Sequence, residues 1–445
     1  MTLRCFRLIA SLFFLGFCGI TTTSAQMQTH VVEQGETLYR IARTNGLTVE
    51  QLLAANPGMS PETLKAGDVL KVPVNNASSA TNAQSYKENI SAPTGEMPSI
   101  AVLLPFSATG IEGARSLEFY RGFLMGAEKF SQAYTPCRIF AYDEGGADNS
   151  LSQTMEEIRR NNVQAVIGPV YPSHLKPLAD FARSERVRMV VPFYSRAEQV
   201  NTNPLVYLIN TPKKFEQEFM ADLFVCTFKK TTVALMRFSG GNEYDFVSYL
   251  KNRLLALGYP VTEFSSEASA EQMLAACKNE TGVVIIPDAS DASSQAIALR
   301  KVSAMKSANP SSLIRLVGYS SWLSKENTKS QMHTCDTYVF TGNFYNKYAA
   351  ATHKFEADYT AWFHAKPQDI TPRMGLLGHD VALHLLTGIS KWGKDFSSQP
   401  TDAAVLQSDI RFERTEDEGG LINSSMCFIH FKSDQTIDKV SAPKK

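Results

Sequence analysis

The sequence lacks the features that mark several large classes of protein. Its 44 acidic and 44 basic side chains cancel, so no net charge attracts the chain to nucleic acid or to an anionic membrane surface. It contains no GxxxxGK[ST] phosphate loop, no HExxH zinc motif and no GxSxG nucleophile turn. We therefore expect a non-catalytic protein that has no cofactor, no metal site and no nucleic-acid partner.

Cysteine is scarce and irregularly spaced. Two of the seven cysteines lie in the first 25 residues, and the other five are odd in number and lack CxxC spacing. Most of these five lie in apolar segments, where a free cysteine packs as a small hydrophobic residue. A disulfide framework is not expected, although the sequence leaves one pair open. The five are Cys137, Cys226, Cys277, Cys335 and Cys427.

Long hydrophobic runs are also few. Two arginines precede an apolar run at residues 8–20, and a short polar stretch with small residues follows it. This pattern is typical of a secretory signal peptide, here residues 1–25, and the run is shorter than the roughly 20 residues of a membrane-spanning helix. Lipoprotein processing at Cys18 is the alternative, but the bulky Phe17 precedes it. We expect export to the periplasm and no transmembrane segment in the mature chain.

Residues 29–74 have the pattern of a small module. A short strand at 29–32 is followed by two short helices, of which the second covers 48–55, and a strand at 68–73 closes the unit. Asn56-Pro57-Gly58 ends the second helix, because none of these residues continues a helix well. The order is strand, helix, helix, strand.

This module closely resembles the LysM family. The resemblance rests on the turn Gly35-Glu36-Thr37-Leu38, on the Asn-Pro after the second helix, and on the ending "LKAGDVLKVP". It implies binding of peptidoglycan or another glycan that contains N-acetylglucosamine, in a groove between two loops. The alternative is that these are turn residues only. The implied glycan-binding residues are Gly35, Glu36, Thr37, Leu38, Asn56, Pro57 and Gly58.

Residues 75–97 are small and polar, so we expect a flexible linker. From residue 98 onward, strands alternate with helices of 10 to 17 residues, from a fully apolar strand at 99–106 to a strand at 313–318. Such alternation predicts βαβ units and the α/β class, with two doubly wound parallel sheets in two lobes. The tail adds a strand at 337–342, two helices and a hairpin-like pair, Ile410–Phe412 with Met426–Phe431.

The order of motifs after residue 98 resembles the type I periplasmic binding proteins. The motifs are "IAVLLPFSATG", "AVIGPVYPSH", "MVVPFYSR", "GYSSW", "YVFTGNFY", "GHDVALHLL" and "GGLINSSMCFIHF". The resemblance implies a periplasmic-binding-like domain over 98–445 whose two lobes are joined by three hinge crossovers. Lobe 1 is expected at about 98–210 and 342–395, and lobe 2 at about 211–341 and 396–445. The arrangement of LysM and binding domain resembles envelope proteins of the Bacteroides group.

In that family, hydroxyl groups and backbone N–H groups after strands three and four hold a ligand carboxylate. The matching positions here are Ser173 and Ser195, for which helix capping is the alternative. Asp288 is expected either to bind an ammonium group of the ligand or to cap a helix. The implied ligand-cleft residues are Phe106, Ser107, Tyr171, Ser173, Tyr194, Ser195, Asp288 and Tyr319.

The sequence departs from that family at two places. Phe193-Tyr194-Ser195-Arg196 replaces a cluster of small hydroxyl residues, and either fills the amino-acid pocket or builds one for a larger or anionic ligand. A helix that begins Gly-Tyr-Asp in the family reads Gly-His379-Asp380 here. His379 and His384 are five residues apart and point in different directions on a helix, so they predict no metal site. We expect His384 to be a core residue.

Three functions fit these patterns. The first is a peptidoglycan-tethered receptor whose lobes close on a small-molecule ligand. The second is a scaffold that has lost its ligand and binds a cell-wall synthase or hydrolase, because a fold alone does not determine function. The third, a delivery subunit of an ABC importer, fits less well, because a LysM tether restricts diffusion.

Overall fold

The computed structural model describes residues 27–32, 38, 41–42, 45, 47, 49–59, 64–65, 67–73, 97–277 and 282–441. The chain separates into two compact units, with the division between Ile90 and Ser91. The expected signal peptide, nearly all of the expected linker and the turn residues Gly35 to Thr37 lie outside the described residues. No helix in the described ranges is long and apolar enough to cross a membrane.

The first unit is built on a two-stranded antiparallel sheet. Strand β1 (Met27–Val31) pairs with strand β2 (Val69–Pro73), and helix α1 (Val49–Ala55) packs beside them. Alternation of exposed and buried residues in β2 places Leu70 and Val72 on the inner face, as expected for a strand with one solvated side. The core of the unit contains Val32, Leu38, Ile41, Ala42, Leu52, Leu70 and Val72.

The second unit has two lobes, each built on a seven-stranded sheet. The lobe 1 strands are β3 (Ser99–Leu104), β4 (Arg138–Asp143), β5 (Ala165–Ile167), β6 (Arg188–Val191), β7 (Val206–Leu208), β13 (Phe412–Arg414) and β14 (Leu421–Asn423). They lie in the order β13-β14-β7-β6-β5-β3-β4, and all neighbouring pairs except β13–β14 are parallel. The lobe 1 helices are α2 (Gly110–Ala133), α3 (Ser152–Arg160), α4 (Pro172–Glu185), α10 (Ala350–Phe363) and α11 (Met374–Trp392).

Lobe 2 has the same kind of sheet with an antiparallel edge. Its strands are β8 (Thr232–Arg237), β9 (Val261–Ser265), β10 (Val283–Pro287), β11 (Ile314–Gly318), β12 (Thr337–Thr341), β15 (Cys427–Phe431) and β16 (Ile437–Ser441). They lie in the order β16-β15-β12-β11-β10-β8-β9, and β15 and β16 run antiparallel to their neighbours. The lobe 2 helices are α5 (Lys213–Thr227), α6 (Tyr244–Ala256), α7 (Ala270–Ala276), α8 (Ala292–Ala308) and α9 (Lys329–Thr334). Short 3-10 helices cover Glu198–Asn201, Ser320–Ser324, Glu326–Thr328 and Gly393–Asp395.

These sheets confirm the predicted α/β class with two mainly parallel sheets. The residues of β3 are buried throughout, as expected for a strand covered by helices on both faces. Each fully buried Leu, Ile or Val in such a strand contributes roughly 1.5–3 kcal/mol to the free energy of unfolding. The chain passes between the lobes after β7, after β12 and after β14, which are the three crossovers that the resemblance implied.

Two expectations about the tail are wrong. The resemblance predicts lobe 2 for residues 412–423, but β13 and β14 belong to the sheet of lobe 1, where β14 pairs in parallel with β7. Phe412 and Leu421 are buried in the lobe 1 core, which explains this placement. The hairpin-like pair also does not form, because β13 pairs with β14 while β15 pairs with β12 and β16. The third crossover therefore follows Asn423 and not residue 395.

Glycines let helices α2 and α11 pack at close range in lobe 1. A Cβ atom at Gly122 would lie 1.7 Å from the carbonyl oxygen of Gly375, and one at Gly378 would lie 2.0 Å from that of Phe119. A side chain at either position would force the helix backbones apart. This contact anchors α11 to lobe 1 after the second crossover.

Two buried charged side chains attach the segment after α11 to lobe 1. Asp380 on α11 accepts hydrogen bonds from three consecutive backbone N–H groups, those of Leu406, Gln407 and Ser408, at 2.7–2.8 Å. Arg188 at the start of β6 donates to backbone carbonyls in the segment that directly follows α11, including that of Phe396 at 2.7 Å. His384, on the same helix, is buried as expected, and burial lowers its pKa to about 3.

Replacing Gly378 with Ala should destabilise the protein. The added Cβ cannot fit against the Phe119 carbonyl, so we expect a loss of about 1–3 kcal/mol in the free energy of unfolding, measured by urea denaturation. Gly146→Ala is the matched control, because a Cβ there has open space around it, and its effect should stay within about 0.5 kcal/mol. Equal effects of the two substitutions would contradict the close helix contact.

Candidate functional site

A cavity of about 600 Å³ lies between the two lobes, at the hinge. Residues from all three crossovers line it, among them Asn210 after β7, Asn343 after β12 and Ser425 after β14. Cavities that bind small ligands commonly have volumes of about 300–1,000 Å³. We call this space the hinge cavity.

The wall of the hinge cavity that comes from lobe 2 is rich in hydroxyl groups. It includes Ser290 after β10 and, after β11, Tyr319, Ser320, Ser321 and Ser324. The Tyr319 hydroxyl donates to the carbonyl oxygen of Pro287 at 2.5 Å, and the Ser321 hydroxyl donates to that of Ser290 at 2.9 Å. These bonds hold the loops after β10 and β11 together. Apolar side chains complete the lining: Ile209, Met220, Phe246, Phe340, Leu377 and Met426.

The lobe 1 side of the cavity depends on the buried Asp380. The backbone N–H of Ser408 donates to Asp380, and the Ser408 hydroxyl donates to the side-chain oxygen of Asn343 at 2.6 Å. Ser408 and Asn343 both line the cavity, and they connect the tail of lobe 1 with the second crossover.

Two acidic residues and one basic residue line the cavity. Lys213 and Glu216 lie in the first turn of α5, and Glu243 immediately precedes α6. Glu243 accepts hydrogen bonds from the Ser290 hydroxyl at 2.7 Å and from the Asn242 amide at 3.3 Å. Burial and, secondarily, the negative charge of Glu243 raise the pKa of Glu216, and Lys213 opposes the shift.

The ligand-cleft residues expected from the resemblance are not brought together around this cavity. Of the eight, Tyr319 lines it. The Phe106 ring packs on Tyr120, and the backbone N–H of Ser107 donates to Asp143. Tyr194 packs on an apolar cluster of lobe 1, and Ser195 follows it as a half-buried residue.

The loop after β5 is held within lobe 1 by its own side chains. The Ser173 hydroxyl donates to the carbonyl oxygen of Ala147 at 2.6 Å, and the Tyr171 hydroxyl donates to Glu112 at 3.1 Å. Ser173 lies in the first turn of α4 and does not cap it, because its hydroxyl is bonded to the loop after β4. Each of these hydroxyls thus already has a protein acceptor.

Glu144 organises the loop after β5 and was not among the residues predicted from the sequence. It follows β4, is fully buried, and accepts hydrogen bonds from the backbone N–H groups of Val170 at 2.8 Å and Tyr171 at 2.9 Å. The family resemblance assigned backbone N–H groups of this loop, which precedes α4, to a ligand carboxylate. A carboxylate of the chain itself takes that place here.

His174 completes the environment of Glu144. Its Nδ1 lies 2.9 Å from Glu144 Oε1, and its Nε2 lies 2.9 Å from the carbonyl oxygen of Asn149. A carbonyl oxygen only accepts, so Nε2 carries a hydrogen, and one further proton is shared between His174 and Glu144. Burial raises the pKa of Glu144, and the hydrogen bonds from Tyr171, Val170 and His174 oppose that shift. The acidic pair Asp143-Glu144 at a strand end was the available sequence signal.

Asp288 has a comparable position in lobe 2. It is buried, and its carboxylate accepts hydrogen bonds from the backbone N–H of Phe238 at 2.8 Å and from Arg237 at 3.4 Å. It therefore stabilises the loop after β8, and it lines a separate cavity of about 430 Å³ beside Arg237 and Glu263. Asp291, and not Asp288, caps helix α8, because it accepts from the N–H groups of Ser293 and Ser294.

Four of the seven expected glycan-binding residues lie in the described part of the first unit, and they divide into two groups. Leu38 is part of the core, and Asn56 forms hydrogen bonds with the backbone N–H and carbonyl of Lys71, both at 2.7 Å. Asn56 thus joins the end of α1 to β2. Pro57 and Gly58 are exposed.

Comparison with known proteins agrees with the separation of the chain into two units. Residues 30–73 match the LysM domain family. Over 46 residues, 10% of this chain, the sequence is 39% identical to the secreted LysM effector ELP2 of Colletotrichum higginsianum, and the match covers 26% of that protein. The chain therefore spans about a quarter of the length of the curated relative that it matches.

Solved structures resemble the second unit. A putative branched-chain amino acid ABC transporter from Rhodospirillum rubrum has a TM-score of 0.51 at 12% identity, covering 78% of this chain and 100% of that chain. Full-length LpoA from Haemophilus influenzae has a TM-score of 0.48 at 12% identity, covering 80% of this chain and 60% of that chain. A LysM domain is therefore followed by the fold of type I periplasmic binding proteins, as predicted.

Removing the Glu144 carboxylate should destabilise lobe 1 and leave an anion site. Glu144→Ala leaves two backbone N–H groups and His174 without their buried acceptor, so we expect a loss of about 3–5 kcal/mol in the free energy of unfolding. Acetate should restore part of this stability in the variant and have little effect on the wild type, as measured by thermal unfolding.

Glu112→Ala is the control for this experiment, because Glu112 accepts one exposed hydrogen bond from Tyr171. We expect it to cost less than about 1 kcal/mol and to show no response to acetate. Similar losses in the two variants, or equal acetate effects on wild type and Glu144→Ala, would show that Glu144 does not occupy an anion site.

Proposed function

We propose that this protein is a non-catalytic receptor of the cell envelope. The LysM domain binds peptidoglycan and keeps the protein at the cell wall, while the two-lobed domain binds a small solute in the hinge cavity. An exported, periplasmic location agrees with the pattern of residues 1–25, with the LysM match and with the fold of the second unit.

The hinge cavity is the observation that carries the receptor proposal. Both lobes and all three crossovers contribute to its lining, so a solute bound there lies beside the connections between the lobes. Two-lobed proteins close by hinge rotation when a ligand bridges the lobes, because the ligand interacts more strongly with the closed arrangement. Occupancy of this cavity would therefore be converted into a change of the angle between the lobes.

The LysM domain supports the tethering part of the proposal. Pro57 and Gly58, which are exposed, are its proposed glycan contacts, together with Gly35, Glu36 and Thr37. One small domain offers few polar groups, so each binding event is weak. A polymer with many identical sites compensates, because a released domain rebinds nearby at high local concentration.

A specific observation favours a second candidate, the scaffold without a solute. Glu144 and Asp288 occupy backbone N–H groups at the strand ends of the two lobes, where a solute would otherwise find donors. A two-lobed fold whose N–H groups are bonded internally would serve as a scaffold that binds a cell-wall synthase or hydrolase. The hinge cavity, which neither carboxylate enters, favours the receptor.

Deletion of residues 29–74 should abolish association with the cell wall. We expect the full chain to sediment with purified peptidoglycan sacculi and the shortened chain to remain in the supernatant, because the deletion removes the LysM domain. Far-UV circular dichroism of the shortened chain provides the folding control. Unchanged sedimentation of the shortened chain would refute the tethering role.

Saturating solute should stabilise the second unit. A ligand at about 100 times its Kd adds roughly 2.7 kcal/mol to the free energy of unfolding, which thermal unfolding of the full chain detects. Ser320→Trp should abolish the shift by filling the hinge cavity, whereas Ser311→Trp, at an exposed position outside the lining, should retain it.

The same experiment separates the two candidate functions. If amino acids, muropeptides, nucleosides and amines all leave the transition unchanged, the receptor proposal fails. Capture of a purified wall synthase or hydrolase, with equal efficiency by wild type and Ser320→Trp, would then establish the scaffold.

A further inference from the structure

The described lining of the hinge cavity contains more acidic than basic side chains. Among the lining residues that the structure describes, two carry a negative charge, Glu216 and Glu243, and one carries a positive charge, Lys213. The other lining side chains are hydroxyl, amide or apolar groups. The side chain of Lys213 is at an exposed position, whereas Glu216 and Glu243 are half-buried. The interior of the cavity is thus negative.

The two carboxylates come from different elements and face the same space. Glu216 lies on α5, directly after the first crossover, and Glu243 lies before α6 and is held by Ser290 and Asn242. Two like charges in a partly buried space repel each other, and burial together with Glu243 raises the pKa of Glu216. A bound cation would relieve both the repulsion and the loss of hydration.

A carboxylate group on the ligand would find no comparable partner. The backbone N–H groups of Val170 and Tyr171 are bound to Glu144, and the hinge cavity has no arginine among its described lining residues. Among the described lining residues Lys213 is the one cation, and it lies within a helical turn of Glu216. The arrangement therefore disfavours a zwitterionic amino acid, whose carboxylate would approach Glu216 and Glu243.

We infer that the hinge cavity binds an organic amine that lacks a carboxylate, with its ammonium group between Glu216 and Glu243. Its hydrocarbon chain would lie on the apolar surface of Met220, Phe246 and Phe340, which belong to the lobe 2 core. An ammonium group donates to carboxylates and to the serine hydroxyls of this wall. The inference rests on the proposed receptor function and names the class of its ligand.

Three solutes with the same four-carbon chain test the inference: putrescine, γ-aminobutyrate and butanediol. They present two amines, one amine with one carboxylate, and no charge. In thermal unfolding of the full chain at neutral pH, putrescine should raise the transition temperature in a saturable manner, whereas the other two should not. The putrescine effect should decrease in acid, because protonation removes the charge of Glu216, whose pKa is raised by burial and by Glu243.

Substitution of the carboxylates provides the second part of the test. Glu216→Gln and Glu243→Gln should each weaken putrescine binding about 10- to 100-fold, the usual range for loss of a charge-assisted hydrogen bond. Glu267→Gln, an exposed carboxylate of lobe 2 outside the cavity lining, should leave the affinity unchanged. Isothermal titration calorimetry measures these ratios.

Stability without ligand distinguishes a binding role for Glu216 from a structural one. The pKa of Glu216 is raised in the folded protein, so protonated Glu216 contributes stability at low pH. This contribution is lost as pH rises through the folded pKa, and the ionised form costs stability at neutral pH. Glu216→Gln should therefore raise the transition temperature of the ligand-free protein while it weakens putrescine binding. A purely structural glutamate would lower the transition temperature on substitution.

Each result decides the matter. No shift with putrescine, or a shift that Glu216→Gln and Glu243→Gln leave unchanged, would overturn the inference. If γ-aminobutyrate or butanediol stabilises the protein and Ser320→Trp abolishes that effect, the cavity is a solute site and the amine class is wrong. If solutes shift the transition and Ser320→Trp leaves every such shift unchanged, the receptor proposal fails as well.

Discussion

Asp380 accepts hydrogen bonds from three consecutive backbone N–H groups in the segment that follows its helix. This interaction turns the chain back towards lobe 1 after the second crossover and brings Ser408 against Asn343. The strands β13 and β14 follow from it, and so does the third crossover, which leaves from Asn423. The hinge cavity exists because these connections are held side by side. A buried carboxylate is costly unless its lone pairs are satisfied, and three N–H donors satisfy them here.

The same kind of interaction occurs at the strand ends of both lobes. Glu144 in lobe 1 and Asp288 in lobe 2 are buried carboxylates that accept backbone N–H groups of neighbouring loops. Each carboxylate accepts hydrogen bonds from backbone N–H groups that would otherwise be free to bind an anion. A cavity of about 430 Å³ remains beside Asp288, but residues of lobe 2 alone line it, whereas both lobes line the hinge cavity. The hydroxyl groups and carboxylates of the hinge cavity are the basis of the proposed amine ligand.

Much of the fold follows from local sequence patterns. The apolar run at residues 99–104 and the helical spacing of apolar residues in α2 report burial directly, because strands and helices repeat over two and 3.6 residues. The LysM domain could be predicted as a whole, because its turn residues and its ending resemble those of the family over the full module. Buried His384 could be placed for the same reason, since it lies on the apolar face of a helix.

What the sequence alone determined was therefore most of the helices and strands, the small first module and the α/β class of the rest, because local patterns encode them. The number of crossovers came from the family resemblance. Tertiary structure alone decided which lobe holds residues 412–423, because Phe412 and Leu421 find their core partners far away in sequence. It likewise selected Glu144 over its neighbour Asp143 as the buried acceptor, and it gathered Glu216 and Glu243 around one cavity. Adjacent acidic residues look alike in a sequence. Their difference arises only when packing removes one of them from water and supplies it with donors from another loop.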